Sequence, residues 1–260
     1  MYLHQKYKYL LNNSFLIQDK YREFTPAINK VINDFDSKGE LIKGSRNTIK
    51  KINIENLVIN IKRFKSPNIF NKIIYTFFRS SKANRSYNYA EKLIDNGIMS
   101  PQPIGFYDIF KFGLIHQSYY VSENIDYDYD MEFVFKNIEL DFRDDIIKKF
   151  TYFTHNLHEN GIMFLDHSRS NTLVKKHNDD YRFYLIDLNR MKFKYLSTEE
   201  RFKNFRRLKL NDEILEKVSG FYSEIVNIEK QIIFDKIKKY SDDFEDGRKC
   251  RKRLKKFFRL

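Results

Sequence analysis

The apolar and polar positions alternate through Leu57-Val58-Ile59-Asn60-Ile61-Lys62, which predicts a strand with one buried face. Short apolar stretches parted by turns extend that reading over 21–65, so the whole span is expected to be strands. From 83 the period changes. Tyr87, Ala90, Leu93 and Ile94 recur at helical spacing, and Gly97 supplies a C-terminal stop. Ser100-Pro101-Gln102-Pro103 breaks the chain, and 104–125 reads as two strands around a turn near Lys111-Phe112-Gly113. After about residue 126 the character becomes helical. Phe142, Ile146, Ile147, Phe150, Phe153 and Leu157 share one helix face, a loop and two short strands occupy 161–196, and 197–260 is helical in pattern. The order implies an α+β chain with a strand-rich lobe over 1–124 and a helical lobe over 125–260.

Composition narrows the partners. Hydrophobic residues at 42% and charged residues at 32% of 260 exclude wholesale disorder. Cys250 stands alone, which leaves no internal disulfide and no cysteine-rich zinc site. The first residues show no apolar run with a small-residue cleavage site, and no stretch approaches the ~18 apolar residues of a membrane span. A cytoplasmic chain is expected, with attachment to the inner face of a membrane as the variant. The net charge is +13, and eight of those charges come from Lys and Arg in the acid-free tail from Arg248 to Leu260, leaving +5 for the remainder. The tail and the aromatic segment from Phe64 to Arg79 both mix cations with bulky apolar residues, chemistry that suits an anionic membrane surface. A core helix for the segment and a solvated charge run for the tail are the plainer alternatives. Asp126-Tyr-Asp-Tyr-Asp130 reads as a solvated loop. No nucleic-acid motif is present, so no nucleic-acid partner is expected.

The chemistry concentrates between 158 and 190. A helix ends at Gly161, and the following loop presents Asp166 and, five positions later, Asn171, ahead of the apolar Thr172-Leu173-Val174. Downstream, Tyr184-Leu185-Ile186 delivers Asp187 at a strand end. This is the order and spacing of the protein-kinase catalytic loop and its metal-holding acid. In that pattern Asp166 is the catalytic residue, and Asn171 and Asp187 hold Mg2+. Lys62 at its strand end is the candidate for the ATP phosphates, Gly44 in Lys43-Gly44-Ser45-Arg46-Asn47 belongs to a weak phosphate loop, and Glu91 is the candidate ion-pair partner of Lys62. Each residue alone has a plainer reading as a cap, turn former or surface charge. His155 and His158 lie three apart on a helix without a third ligand at suitable spacing, so one is expected in the core and one in solvent.

These residues resemble the lipopolysaccharide core heptose and Kdo (3-deoxy-manno-octulosonic acid) kinase family. The resemblance runs from about residue 39 to 210 and is carried by Ala83-Asn84-Arg85-Ser86-Tyr87, Gly97-Ile98 with Pro101-Gln102-Pro103, His158 with Gly161, Asp166 and Asn171, and Ile186-Asp187-Leu188-Asn189-Arg190. It implies a two-lobed protein-kinase-like fold that uses ATP and Mg2+ to phosphorylate a sugar hydroxyl of the core glycolipid. A kinase for a protein or small molecule, and a non-catalytic basic binding module, are the alternatives. Phe164 and Leu165 replace the His and Arg that precede the catalytic Asp in protein kinases, Asp187-Leu188-Asn189 replaces Asp-Phe-Gly, and Ser86 competes with Glu91 for the helix position facing Lys62.

Overall fold

The computed structural model describes residues 13–44 and 47–257. The chain divides into two compact units, 1–125 and 126–260.

The first unit is built on β1 (Ser14–Ile17), α1 (Thr25–Asn33), β2 (Glu40–Gly44), β3 (Thr48–Ile54), β4 (Leu57–Phe64), α2 (Ile69–Ile73), α3 (Lys82–Asp95), β5 (Pro103–Lys111) and β6 (Leu114–Glu123). The strands form one antiparallel sheet in the order β1-β5-β6-β4-β3-β2. Alternation in β3 and β4 sends Ile52, Ile54, Ile59 and Ile61 to one face, where they meet Ile28, Val31, Ile32 and Phe35. That corrects the all-strand reading of 21–65. The apolar residues at 28, 31, 32 and 35 have helical spacing, and Pro26 sits in the first turn of α1, where its missing N–H is harmless. Lys50 donates from Nζ to the carbonyls of Phe35, Asp36 and Lys38 at 2.7, 2.9 and 2.8 Å, so a buried cation closes the open end of that helical segment. The opposite face packs Ala83 and Tyr87 of α3 on Phe64 and Phe106. The turn between β5 and β6 is Phe112-Gly113, both with positive φ (52° and 72°), the geometry that joins twisted strands in two residues. At Gly105 a Cβ would lie 2.2 Å from the Leu16 carbonyl, so only glycine lets β1 close on β5 there.

Residues 69–78 are helical, with a single π-helical turn over Ile74–Phe78, and none of them is buried. The core-helix alternative for this segment is therefore wrong. Phe70 and Phe78 are 75% and 80% exposed.

The second unit contains β7 (Tyr129–Asp130), α4 (Met131–Lys136), α5 (Arg143–Glu159), β8 (Ile162–Phe164), β9 (Thr172–His177), β10 (Asp180–Leu185), β11 (Met191–Phe193), α6 (Thr198–Asn204), α7 (Asp212–Val226) and α8 (Lys230–Phe257). Four short strands, not two, fill 161–196. β9 pairs with β10 and β7, and β8 pairs with β11. Ile146, Ile147 and Phe150 of α5 pack with Val218 and Tyr222 of α7 and with Ile233 and Ile237 of α8. The acidic stretch before α4 is exposed at 126–128, as a solvated loop would be, and two of its carboxylates also tie the backbone. Asp128 Oδ2 accepts from Lys176 N at 2.7 Å, and Asp130 Oδ1 caps α4 by accepting from Phe133 N at 2.8 Å. The basic tail as far as Phe257 continues α8 as helix, and 248–257 is exposed throughout. The mixed class expected from the sequence, strands first and helices after, is the one observed.

Asp108 on β5 is a buried carboxyl that receives a hydrogen bond from Ser81, while its Oδ1 has no partner among the described residues. Burial pushes its pKa up to about 7. A raised acid binds its proton more tightly when folded, so its contribution to stability is intact below pH 4 and is lost as pH rises through 7. Asp108→Asn is expected to raise Tm at pH 8 by roughly 3–6 °C and to change it little at pH 4.5, as read by calorimetry at both pH values.

Candidate active site

The loop carrying Asp166 starts from a buried polar chain. Tyr222 Oη meets His158 Nδ1 at 2.9 Å, His158 Nε2 meets Asn204 Oδ1 at 3.2 Å, and Asn204 Nδ2 donates to the Phe164 carbonyl at 2.8 Å. Burial holds His158 neutral, with its pKa down near 3, so the ring accepts from one neighbour and donates to the other. Of the two α5 histidines, His158 is thus the core one, and His155 lies beside Glu159 at 3.5 Å. Phe164 is fully buried and stacks on His167 with ring centroids 5.9 Å apart. His167 is itself enclosed by Phe150 and Phe205, and burial lowers its pKa to about 4. The apolar Phe164 thus packs where protein kinases place a histidine, and the imidazole moves to the far side of Asp166.

The loop is then tied on both sides. Leu165 N donates to the Arg190 carbonyl at 3.0 Å, and Arg169 pairs with Glu132 of α4 at 3.0 Å. Asn171 Nδ2 donates to the Asp166 carbonyl at 2.9 Å, closing the five-residue span on itself. β10 pairs with β9 through Leu185 opposite Thr172, and Ile186 N donates to the Asn171 carbonyl at 3.0 Å. Asp187 follows directly, with φ of 60°, in the left-handed region that non-glycine residues rarely occupy. Its Oδ1 accepts from Asn189 Nδ2 at 2.6 Å. Asp166, Asn171 and Asp187 are thereby brought to adjoining strand ends. Asp166 is largely enclosed and pairs through Oδ1 with Arg207 at 2.9 Å and Arg190 at 3.3 Å.

The remaining sequence candidates lie in the first unit. Lys62 of β4 stands opposite Tyr120 on β6 and Ile49 on β3, and Ile49 stands opposite Lys43 on β2. Directly paired residues share a face, so Lys62 is on the α3 side of the sheet with Tyr120 and Phe64. Its Nζ lies 5.1 Å over the Phe64 ring. Glu91 of α3 accepts from Tyr87 Oη at 2.8 Å and from Gln18 Nε2 at 2.9 Å, and its charge is felt by Tyr120. Ser86 is buried and donates to the Lys82 carbonyl at 2.9 Å. Gly44 ends β2 opposite Thr48, and Ser45 and Arg46 of the weak phosphate loop lie outside the described residues.

The model of the lipopolysaccharide kinase (Kdo/WaaP) family matches residues 61–221, more than half of the chain. The chain belongs to that family. Its class is therefore that of a kinase, a phosphotransferase linked to lipopolysaccharide synthesis. Among solved structures, one described as WaaP in complex with acyl carrier protein superposes with a TM-score of 0.59 at 12% identity, covering 88% of this chain and 98% of that one. The likeness establishes the kinase-like fold. No curated protein matches the sequence.

Arg207 and Asn204 escaped the sequence reading. Both belong to a segment about 40 residues beyond Asp166, in a helical stretch where they read as a surface cation and a polar filler. The only prior signal was the excess of arginine in Arg201…Arg206-Arg207. Asn204→Ala leaves the Phe164 carbonyl and one nitrogen of His158 buried without a partner, and is expected to destabilise the protein by about 1–3 kcal/mol in urea denaturation.

Proposed function

We propose that the chain transfers the γ-phosphoryl group of ATP to a hydroxyl of heptose or Kdo in the lipopolysaccharide inner core. The observation that carries this reading is the convergence of Asp166, Asn171 and Asp187 on adjoining strand ends, in a chain of this family. Among the described residues no donor reaches Asp166 Oδ2, so that oxygen is the one to accept the proton of the sugar hydroxyl. The hydroxyl oxygen then bonds to the γ-phosphorus as its bond to the bridging oxygen of ADP breaks.

The residues fit a magnesium ion. Asn171 commits Nδ2 to the Asp166 carbonyl, which leaves its Oδ1 to coordinate, and Asp187 adds a carboxylate. Magnesium takes oxygen ligands and accepts few from the protein when phosphates supply others. When bound, the ion neutralises charge on the phosphate oxygens. Lys62 is assigned to the α- and β-phosphates, Glu91 to orienting Lys62, and the backbone at Gly44 to further phosphate contact.

Asp166→Ala and Asp187→Ala are each expected to cut transfer from labelled ATP to core oligosaccharide lacking phosphate by roughly 10²–10⁴-fold, with circular dichroism unchanged. Turnover near the wild-type rate in either variant removes that residue from its assigned role.

A glycolipid acceptor places the enzyme at a membrane, and the exposed segment over 69–78 suits that contact. Among the described residues no helix is long and apolar enough to cross a bilayer. Phe70 and Phe78 project from a segment held to the sheet by Thr76, whose Oγ1 accepts from Ile115 N at 3.0 Å, with Lys65, Lys72, Arg79 and Lys82 around it. The double variant Phe70→Ser, Phe78→Ser is expected to lower binding to vesicles of acidic phospholipid at least tenfold. Its rate on a soluble oligosaccharide should match the wild type. Unaltered vesicle binding assigns the segment another role.

A further inference from the structure

Two guanidinium groups pair with Asp166, and a third, Arg206, lies near enough to both for the charges to interact. Arg190 leaves the end of the Asp187-Leu188-Asn189 segment, and Arg206 and Arg207 come from the short helical turn after α6. Arg190 and Arg207 share the one oxygen Oδ1 of Asp166. Arg206 donates to the Lys203 carbonyl at 2.8 Å and has no carboxylate partner among the described residues. Phe244 of α8 backs the pair, with the Arg206 and Arg207 guanidinium carbons 5.7 and 5.2 Å from its ring centroid. The three cations repel one another, and part of the cost shows in Arg206, whose pKa is lowered by burial and by the charges of Arg207 and Arg190.

The fold therefore holds a local surplus of positive charge next to the carboxylate proposed to take the proton of the sugar hydroxyl. Guanidinium groups bind carboxylate and phosphate through paired N–H donors, and an aromatic plate behind them fixes their orientation. An acceptor whose reacting hydroxyl lies near a carboxylate or phosphate group would satisfy the surplus and be oriented by it. The backing by Phe244 marks the cluster as built, since a chance surface cluster would spread its charges into solvent.

We infer that Arg206 and Arg207, with Arg190, form an acceptor subsite for an anionic group, carboxylate or phosphate, adjacent to the hydroxyl that is phosphorylated. The inference rests on the proposed function and names what the acceptor must carry. A Kdo unit brings a carboxylate of its own, whereas a heptose needs a phosphate.

The test uses the full chain with ATP and four soluble acceptors: a Kdo glycoside, its carboxyl-reduced form, and a heptose glycoside with and without a phosphate. For the wild type, KM for a charged acceptor should be at least tenfold below that of its neutral counterpart, and which charged acceptor is preferred tells carboxylate from phosphate. Arg206→Gln should raise that KM about tenfold, leaving kcat and the KM for ATP within a few-fold and the neutral acceptor unaffected. Arg206→Lys should recover only part of the loss, because it restores charge without the fork. Arg207→Gln should raise the same KM and lower kcat as well, because Arg207 pairs with Asp166, so Arg206→Gln decides the matter. An unchanged acceptor KM, equal use of charged and neutral acceptors, or a rise confined to the KM for ATP each overturns the subsite. Failure of the proposed function is read separately. If the wild type phosphorylates none of the four, calorimetric binding of the charged glycosides decides. Binding lost in Arg206→Gln upholds the subsite, and absence of binding to the wild type overturns it.

Discussion

Asn204 sits buried between the helix that carries His158 and the strand that carries Phe164, and its one amide serves both. The loop that follows Phe164 has no regular secondary structure of its own before the short turn at Arg169. Its direction is set by where the strand is held. A buried amide with both ends engaged is costly to rotate, because each broken bond strands a polar group away from water. The neutral ring of His158 and the hydroxyl of Tyr222 extend the restraint into the centre of the helical core. The position of Asp166 is thus fixed by residues packed beneath its loop.

Downstream of that anchor the site is assembled by strand pairing. β9 and β10 bring Asn171 and Ile186 face to face, and the chain leaves the ladder at Asp187 with a left-handed turn. One ladder thereby brings together two residues sixteen positions apart in sequence. The first unit uses the same device with a different cargo, aligning Lys62, Ile49 and Lys43 across three strands on the face that α3 covers. In both units candidate side chains stand on, or just beyond, antiparallel pairs whose register is locked by buried aliphatic neighbours.

The legible parts were those in which a short stretch of sequence carries its own geometry. The interval from Asp166 to Asn171 is one, because the amide of Asn171 bonds back to the Asp166 carbonyl and so requires that spacing. The amphipathic period of α3 and α5 is another. The helix over Thr25–Asn33 was missed because its β-branched Ile28, Val31 and Ile32 carry strand propensity, while its cap comes from Lys50, distant in sequence. The short strands β8 and β11 were missed because three residues hold too little pattern, and their pairing is a tertiary fact. Arg207 beside Asp166 is the same kind of fact, invisible until α6 is packed. The aromatic segment after β4 has a composition equally suited to core and surface, and only its exposure decides between them.

The left-handed backbone at Asp187 has an evolutionary consequence. A non-glycine residue there carries strain of roughly 1 kcal/mol or more. Glycine occupies that conformation freely. It is one base change from an aspartate codon. Drift at this position therefore runs downhill in folding free energy and away from the carboxylate, so a gene copy released from selection on its activity would tend to persist as a well-folded protein that has lost its acid.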